Sequence, residues 1–182
     1  MDSEIEKFLN DTESKDNKIR FDAFTKLLEI TDTRVDWFSD VFDDLSNRLE
    51  SDNSYQRSIG MMLLCNLAKS DKDKLLQKAL PDILNLLEDE KFITRRQCIQ
   101  NIWKIAVAEN ELFSTIVEAL EIKFVKCSSE NHYNLIRQDI VSALYSIHKN
   151  KPDSDILSRI EKLIDHEDDS AFKKKYIKIT KK

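Results

Sequence analysis

Three histidines and three cysteines are the side chains of this 182-residue sequence best suited to ligate a metal or act as a nucleophile. They are His132, His148, His166, Cys65, Cys98 and Cys127. No HExxH or CxxC motif accompanies them, and the histidines fall near the boundaries of different predicted helices. We therefore predict no metal site, no cofactor and no nucleophilic cysteine.

Adjacent carboxylates are the other residues with catalytic chemistry. The pairs Asp43–Asp44 and Asp168–Asp169 have the acid–base groups that hydrolases use, but they fall on a solvated helix side and in an inter-helix turn. Gly60 is the single glycine of the sequence. The P-loop, the GxGxxG fingerprint and the nucleophile elbow each need at least two glycines, so these motifs are excluded. We predict that the protein has no catalytic residues and is not an enzyme.

Composition restricts the class of protein further. Apolar residues make up 41% and charged residues 35% of the chain, with a formal net charge of −5. No apolar run of about 18 residues occurs, and the acidic start has no apolar stretch, so neither a membrane span nor a secretory signal is expected. An odd number of widely spaced cysteines indicates reduced thiols, which predicts a cytoplasmic location.

One glycine and two prolines predict an all-helical chain. Apolar residues recur every three to four positions and define two kinds of helix, separated by short polar segments that can cap the helix that follows. The first kind is predicted at 37–49, 74–87, 111–125 and 154–164. The second kind is predicted at 17–30, 54–68, 92–107, 133–148 and 171–179.

The helices of the second kind align on an early basic residue. The aligned residues are Arg20, Arg57, Arg96, Arg137 and Lys174, which lie 37, 39, 41 and 37 positions apart. A small or apolar residue stands three positions after each aligned base. An apolar residue also stands seven positions after the base in the first four of these helices. A two-helix period of this length is typical of a helical solenoid, in which each helix pair buries its apolar side against the next.

The stretches "DNKIRFDAFTKL" (16–27) and "LPDILNLLEDE" (80–90) resemble HEAT repeats, which are relatives of armadillo repeats. The resemblance covers residues 17–179 in four paired units, with "EIEKFL" (4–9) as a degenerate first helix. It implies an all-α, right-handed α-α superhelix, a single domain over 1–182 with about four to five repeats, and a basic carboxy-terminal cap at 168–182. It also implies a kinked outer helix at Pro81.

The aligned arginines have a structural interpretation. Each lies at the edge of the apolar stripe, where its guanidinium can reach acidic or carbonyl groups of the preceding turn or repeat. A small residue at 23 or 60 lets two helices approach closely. The spacing from acid to base varies from four residues, Asp16 to Arg20, to about seven, Glu130 to Arg137. A regular ladder of ion pairs between repeats is therefore not expected.

The resemblance implies that helices of the second kind line a concave face. Residues one and five positions after the aligned base share one side of each helix and are uncharged, with many amides and hydroxyls. Amides suit hydrogen bonding to an extended peptide, whereas a phosphate backbone requires Arg and Lys. We predict a non-catalytic scaffold that binds a peptide or protein. The predicted binding residues are Thr25, Met62, Asn66, Gln97, Asn101, Gln138 and Ser142.

Two alternatives remain open at this point. One is a nucleic-acid-associated protein that uses Arg95, Arg96, Arg137 and Lys173–Lys175, and the other is an enzyme similar to the DNA glycosylases that resemble HEAT arrays. Charge is also unevenly distributed, with a balance of −8 over residues 1–55 and +4 over residues 168–182. These ends could make head-to-tail contacts, the tail could bind an acidic partner, or both ends could be solubilising caps.

Overall fold

The computed structural model describes residues 2–152 and 154–181, and its regular elements over these ranges are helices without any strand. The all-α prediction is confirmed. The α-helices are α1 (Ser3–Asp11), α2 (Asn17–Ile30), α3 (Phe38–Asn47), α4 (Ser54–Leu67), α5 (Leu76–Asn85), α6 (Phe92–Ala108), α7 (Asn110–Lys126), α8 (Tyr133–Asn150), α9 (Ser154–Asp165) and α10 (Ser170–Ile179). Helices α3, α4, α5 and α7 each end in one 3₁₀ turn.

The polar segments between helices set where the second kind of helix begins. Asp16 caps α2 by accepting hydrogen bonds from the backbone N–H groups of Lys18 and Ile19. Asn53 and Asp169 cap α4 and α10 in the same way. A side-chain oxygen at this position satisfies backbone donors that have no partner inside the helix.

The chain forms two compact units, Met1–Thr94 and Arg95–Lys182, here called the amino-terminal and carboxy-terminal units. In the amino-terminal unit α1 packs on α2 and α3 packs on α4. Their apolar stripes form a core in which Leu27, Leu45 and Leu64 are completely buried. The single domain predicted over 1–182 stays a prediction.

In the carboxy-terminal unit α8 is the central helix, with α7, α9 and α10 packed against it. Ile140 and Leu144 of α8 are fully buried, as are Leu120 of α7 and Ile160 of α9. The apolar rows that aligned in the sequence are therefore the rows that the packing covers.

Gly60 marks a close approach between α4 and the carboxy-terminal end of α3. A Cβ atom at this position would lie 2.7 Å from the carbonyl oxygen of Leu45 and 2.9 Å from Cβ of Arg48. The prediction that a small residue here permits close helix packing is confirmed. Pro81 lies inside α5, where the kink remains a prediction.

Candidate functional site

Three of the four aligned arginines are held in place by ion pairs, whereas Arg20 donates to the carbonyl oxygen of Ser14 and to Oδ1 of Asn17. Arg57 is buried, and its Nε and Nη2 donate to the two carboxylate oxygens of Asp89 at 2.6 and 2.9 Å. Its Nη1 donates to the carbonyl oxygens of Ser51 and Asp52 in the preceding turn. The carbonyl contacts agree with the sequence-based expectation. The position of the acid differs from that expectation, because Asp89 belongs to the turn that follows α5, one helix pair further along the chain.

Arg137 shows the same arrangement in the carboxy-terminal unit. Its Nη1 donates to Oε2 of Glu167 at 3.0 Å, and its Nε donates to the carbonyl oxygen of Phe124 at 3.1 Å. The guanidinium carbon lies 4.6 Å from the ring centroid of Phe124 and 5.1 Å from that of Tyr133. Because Arg137 is stacked between two rings and ion-paired, it is not available to an external ligand.

Arg96 departs from this arrangement. Its Nε and Nη2 donate to Asp139 of α8 at 2.6 and 3.1 Å. The carboxylate in the turn position, Glu130, instead accepts from Nζ of the buried Lys123 at 2.7 Å and lies 3.5 Å from Nη1 of Arg95. The arginines of the nucleic-acid alternative are thus paired with carboxylates of their own unit.

The structure identifies an acidic row that the sequence analysis missed. A carboxylate stands seven residues before every aligned base: Glu13, Glu50, Asp89, Glu130 and Glu167. The constant spacing is the signal in the sequence, and it is obscured because Asp16, which caps α2, lies closer to Arg20 than Glu13 does. Arg57 and Arg137 both bind the member of this acidic row that belongs to the following helix pair. Arg20 instead donates to Ser14 and Asn17, and Arg96 donates to Asp139, so the aligned bases form no regular ladder of ion pairs among the described residues.

Asn66 does not lie on an exposed row. It is buried, and its Nδ2 donates to the carbonyl oxygen of Leu28 at 3.1 Å and to Oγ1 of Thr31 at 2.8 Å. Since both acceptors lie on or at the end of α2, Asn66 joins α4 to α2 and cannot contact a partner. This corrects its assignment as a binding residue.

The remaining predicted binding residues are partly exposed. Thr25 and Met62 are half-buried in the amino-terminal unit, next in the row to Phe21, whose side chain is 67% exposed. Gln97, Asn101, Gln138 and Ser142 are half-buried in the carboxy-terminal unit.

The four polar residues of the carboxy-terminal unit differ in whether their hydrogen-bonding groups are already used. Asn101 donates to the carbonyl oxygen of Gln97 at 2.8 Å and accepts from Lys104, and Ser142 donates to the carbonyl oxygen of Gln138 at 2.9 Å. Oε1 of Gln97 is buried and has no hydrogen-bond partner among the described residues. The side-chain amide of Gln138 makes no hydrogen bond with any described residue either. We call Gln97 and Gln138 the amide pair.

Exposed apolar side chains at helix starts are a second feature that the sequence analysis did not select. Ile19, Tyr55 and Ile93 are 46%, 62% and 61% exposed and lie in the first turns of α2, α4 and α6. The guanidinium of Arg20 lies over the Tyr55 ring at 4.7 Å from its centroid. Phe21 is exposed as well, so four large apolar side chains of the amino-terminal unit are in contact with water.

The three cysteines are buried and form no disulfide. Burial raises the pKa of the Cys127 thiol, although the nearby positive charge of Arg137 acts in the opposite direction. Within 2–152 and 154–181, no three His, Cys, Asp or Glu residues are grouped so that they could hold a metal ion. No helix in these ranges is long and apolar enough to cross a membrane.

We expect all three thiols to resist labelling by a water-soluble disulfide reagent in the folded protein. A buried thiol is closed to a water-soluble reagent, so reaction requires opening of the fold. Release of the coloured thiolate of the reagent should be followed spectrophotometrically with and without denaturant. Fast labelling of one cysteine in native buffer would show that it is accessible to solvent, which would contradict its burial in the structure.

Comparison with known proteins gives the fold and nothing more specific. No protein-family model matches the chain, and no curated protein matches it. Three engineered proteins solved crystallographically by the Northeast Structural Genomics Consortium are similar in structure. The first has a TM-score of 0.59 and 19% identity over 98% of this chain and 47% of its own, so this chain spans about half its length.

The second engineered protein has a TM-score of 0.57 and 20% identity, over 98% of this chain and 80% of its own. The third has a TM-score of 0.52 and 16% identity, over 99% of this chain and 96% of its own. At these identities the similarity concerns backbone architecture. It carries no information on ligands or partners.

Proposed function

We propose that this protein is a non-catalytic interaction module, built of HEAT-like helix pairs stacked in a right-handed superhelix, which binds an extended segment of a protein partner. The observation that carries the proposal is the amide pair. Gln97 and Gln138 occupy equivalent positions after their aligned arginines, and neither side-chain amide is satisfied by a described residue. A buried acceptor without a partner costs about 1–3 kcal/mol, so rotation of the half-buried Gln97 side chain that brings Oε1 to a ligand donor recovers this cost as affinity.

An extended peptide has the matching chemistry. Its backbone presents N–H donors and C=O acceptors along its length, and a carboxamide side chain can both accept and donate. Gln97 and Gln138 lie on α6 and α8, which Arg96 and Asp139 join directly through an ion pair. Two neighbouring helices held together in this way could present one amide each to the same peptide.

The exposed apolar residues of the amino-terminal unit support binding of a protein rather than of nucleic acid. Tyr55 and Phe21 retain more than half of their surface exposed, and a protein partner would remove this apolar surface from water. Binding to a phosphate backbone would require free cationic side chains, whereas Arg95 and Arg96 already pair with Glu130 and Asp139.

The test compares two double variants. A partner should first be recovered by affinity purification from the native cell with the unaltered protein and identified by mass spectrometry. Its affinity should then be measured by calorimetry for Gln97→Ala/Gln138→Ala and for Asn101→Ala/Ser142→Ala. Because each lost hydrogen bond contributes about 1 kcal/mol, we expect the first variant to bind roughly 10- to 30-fold more weakly.

The second variant is the matched control, since Asn101 and Ser142 already use their polar groups within their own helices. We expect it to change the affinity by less than about threefold. If the folded Gln97→Ala/Gln138→Ala variant binds the partner as tightly as the unaltered protein, the peptide-binding proposal is wrong.

We also propose that the protein works in the cytoplasm. Three buried cysteines that form no disulfide support a reducing compartment, because thiols persist there without oxidation. Fractionation of the native cell followed by immunodetection would test this location.

A further inference from the structure

The last aligned base and the first member of the acidic row both have unused capacity for an ion pair. Arg57 and Arg137 each bind a carboxylate of the acidic row from the helix pair that follows their own. Lys174, the last aligned base, is exposed and forms no ion pair with a described residue. Glu13, the first member of the acidic row, pairs with Arg48 at 3.0 Å but keeps 60% of its side chain exposed. Lys174, like Arg20, thus pairs with no carboxylate of the acidic row, and Glu13 has room for another base.

The helix that carries the first aligned base also has an uncovered apolar position. Gln56, which directly precedes Arg57, faces the preceding helix pair, because its side chain donates to the carbonyl oxygen of Thr12 at 2.9 Å. The equivalent Ile136 of α8 is completely buried, whereas Ile19 of α2 is 46% exposed. The side of α2 on which another helix pair would stack is therefore apolar and open to water.

Charge makes the two regions complementary. The chain carries a balance of −8 over residues 1–55, and the first turn of α1 contains Glu4 and Glu6. Residues 168–182 carry +4, with exposed lysines on α10. Opposite charges on two surfaces steer them together and disfavour pairing of either surface with itself.

We infer that two copies of this chain associate through unlike surfaces, with α10 of one copy docked on the α1–α2 pair of another. Lys174 of the first copy then pairs with Glu13 of the second, and α10 covers Ile19. The contact repeats the relation that Arg57 and Arg137 have with the helix pairs following their own. Because the two surfaces differ, each added copy leaves one of them open, and association proceeds beyond a dimer unless the assembly closes into a ring. This inference does not depend on the amide pair.

Sedimentation velocity of the full 182-residue chain tests the association. We expect the weight-average mass to rise with protein concentration at about 50 mM salt and to fall back toward the monomer near 500 mM salt, since exposed ion pairs are screened. A mass that stays monomeric at the highest soluble concentration and low salt would overturn the inference.

Two charge reversals test the pairing itself. Lys174→Glu and Glu13→Lys should each weaken association at least about fivefold, because an attractive exposed pair becomes a repulsive one. An equimolar mixture of the two variants should associate more strongly than either alone, since Glu at 174 of one copy can pair with Lys at 13 of the other. Circular dichroism should establish that both variants remain folded.

Lys162→Glu is the matched control, because Lys162 is an exposed lysine near the end of α9, outside the aligned row. It makes the same change in net charge as Lys174→Glu and should weaken association by less than about twofold. Equal weakening by the two variants, or a mixture that fails to recover association, would mean that Lys174 and Glu13 do not meet.

Discussion

Replacing Arg137 with methionine should lower the free energy of unfolding by about 3–5 kcal/mol, the usual cost of removing one partner of a buried ion pair. Arg137 is 5% exposed and Glu167 is 4% exposed, so methionine would leave a carboxylate in the interior without its cation. Methionine retains part of the apolar volume between the rings of Phe124 and Tyr133, so lost packing contributes less than the unpaired charge.

Equilibrium unfolding in urea, followed by far-ultraviolet circular dichroism, measures this loss. The double variant Arg137→Met/Glu167→Gln should recover part of it, because the neutral amide can still accept from the hydroxyl of Tyr176, which is 3.2 Å from Oε2 of Glu167. Tyr176 also responds to this carboxylate, since burial first and the charge of Glu167 second raise the pKa of its phenol.

Lys26→Gln is the control for Arg137→Met. Lys26 forms an ion pair with Glu29, but both side chains are more than half exposed. Exposed pairs contribute little to stability, so we expect a change within about 0.5 kcal/mol. If Arg137→Met lowered the free energy of unfolding by no more than Lys26→Gln does, the buried ion pair would not hold the carboxy-terminal unit together.

Replacing Gly60 with alanine should destabilise the protein by about 1–3 kcal/mol, although alanine is the better helix former. The new Cβ would stand 2.7 Å from the backbone oxygen of Leu45, which cannot rotate away as a side chain can. Helix α4 would have to shift from the end of α3, and the contacts between them would loosen.

Thermal unfolding monitored by calorimetry gives the sign of the Gly60→Ala effect. Ser39→Ala provides the comparison, because Ser39 is exposed in the first turn of α3 and its replacement by alanine adds no atom that could clash. We expect little change in the midpoint temperature for Ser39→Ala and a clear decrease for Gly60→Ala. An unchanged or raised midpoint for Gly60→Ala would show that the two helices can separate at no cost.

Both predictions concern residues that the sequence alignment had already placed at equivalent positions. Arg137 shares its row with Arg57, and Gly60 shares its row with Ala23, which is 3% exposed. The alignment indicated that the arginines were structural and that small residues allowed close packing. The alignment could not supply the change in stability for either substitution, because that change depends on burial and on the atoms opposite each side chain.

The sequence by itself determined the helices and their buried sides. The segment predicted at 17–30 is α2, and the apolar residue seven positions after the base is completely buried at Leu27 and Leu64. These features follow from helix periodicity and from capping residues, and both act over a few neighbouring residues. A sequence therefore expresses them locally.

Only the tertiary structure decided which polar groups are used and which are available. Arg96 binds Asp139 instead of Glu130, and Asn66 is consumed in joining α4 to α2. Gln97 keeps an unpartnered acceptor while Asn101, four residues later, does not. The two contacts between helices join residues 35 to 43 positions apart, so they depend on the packing register between helices. The difference between the acceptors of Gln97 and Asn101 depends on which rotamer each amide adopts in the packed environment.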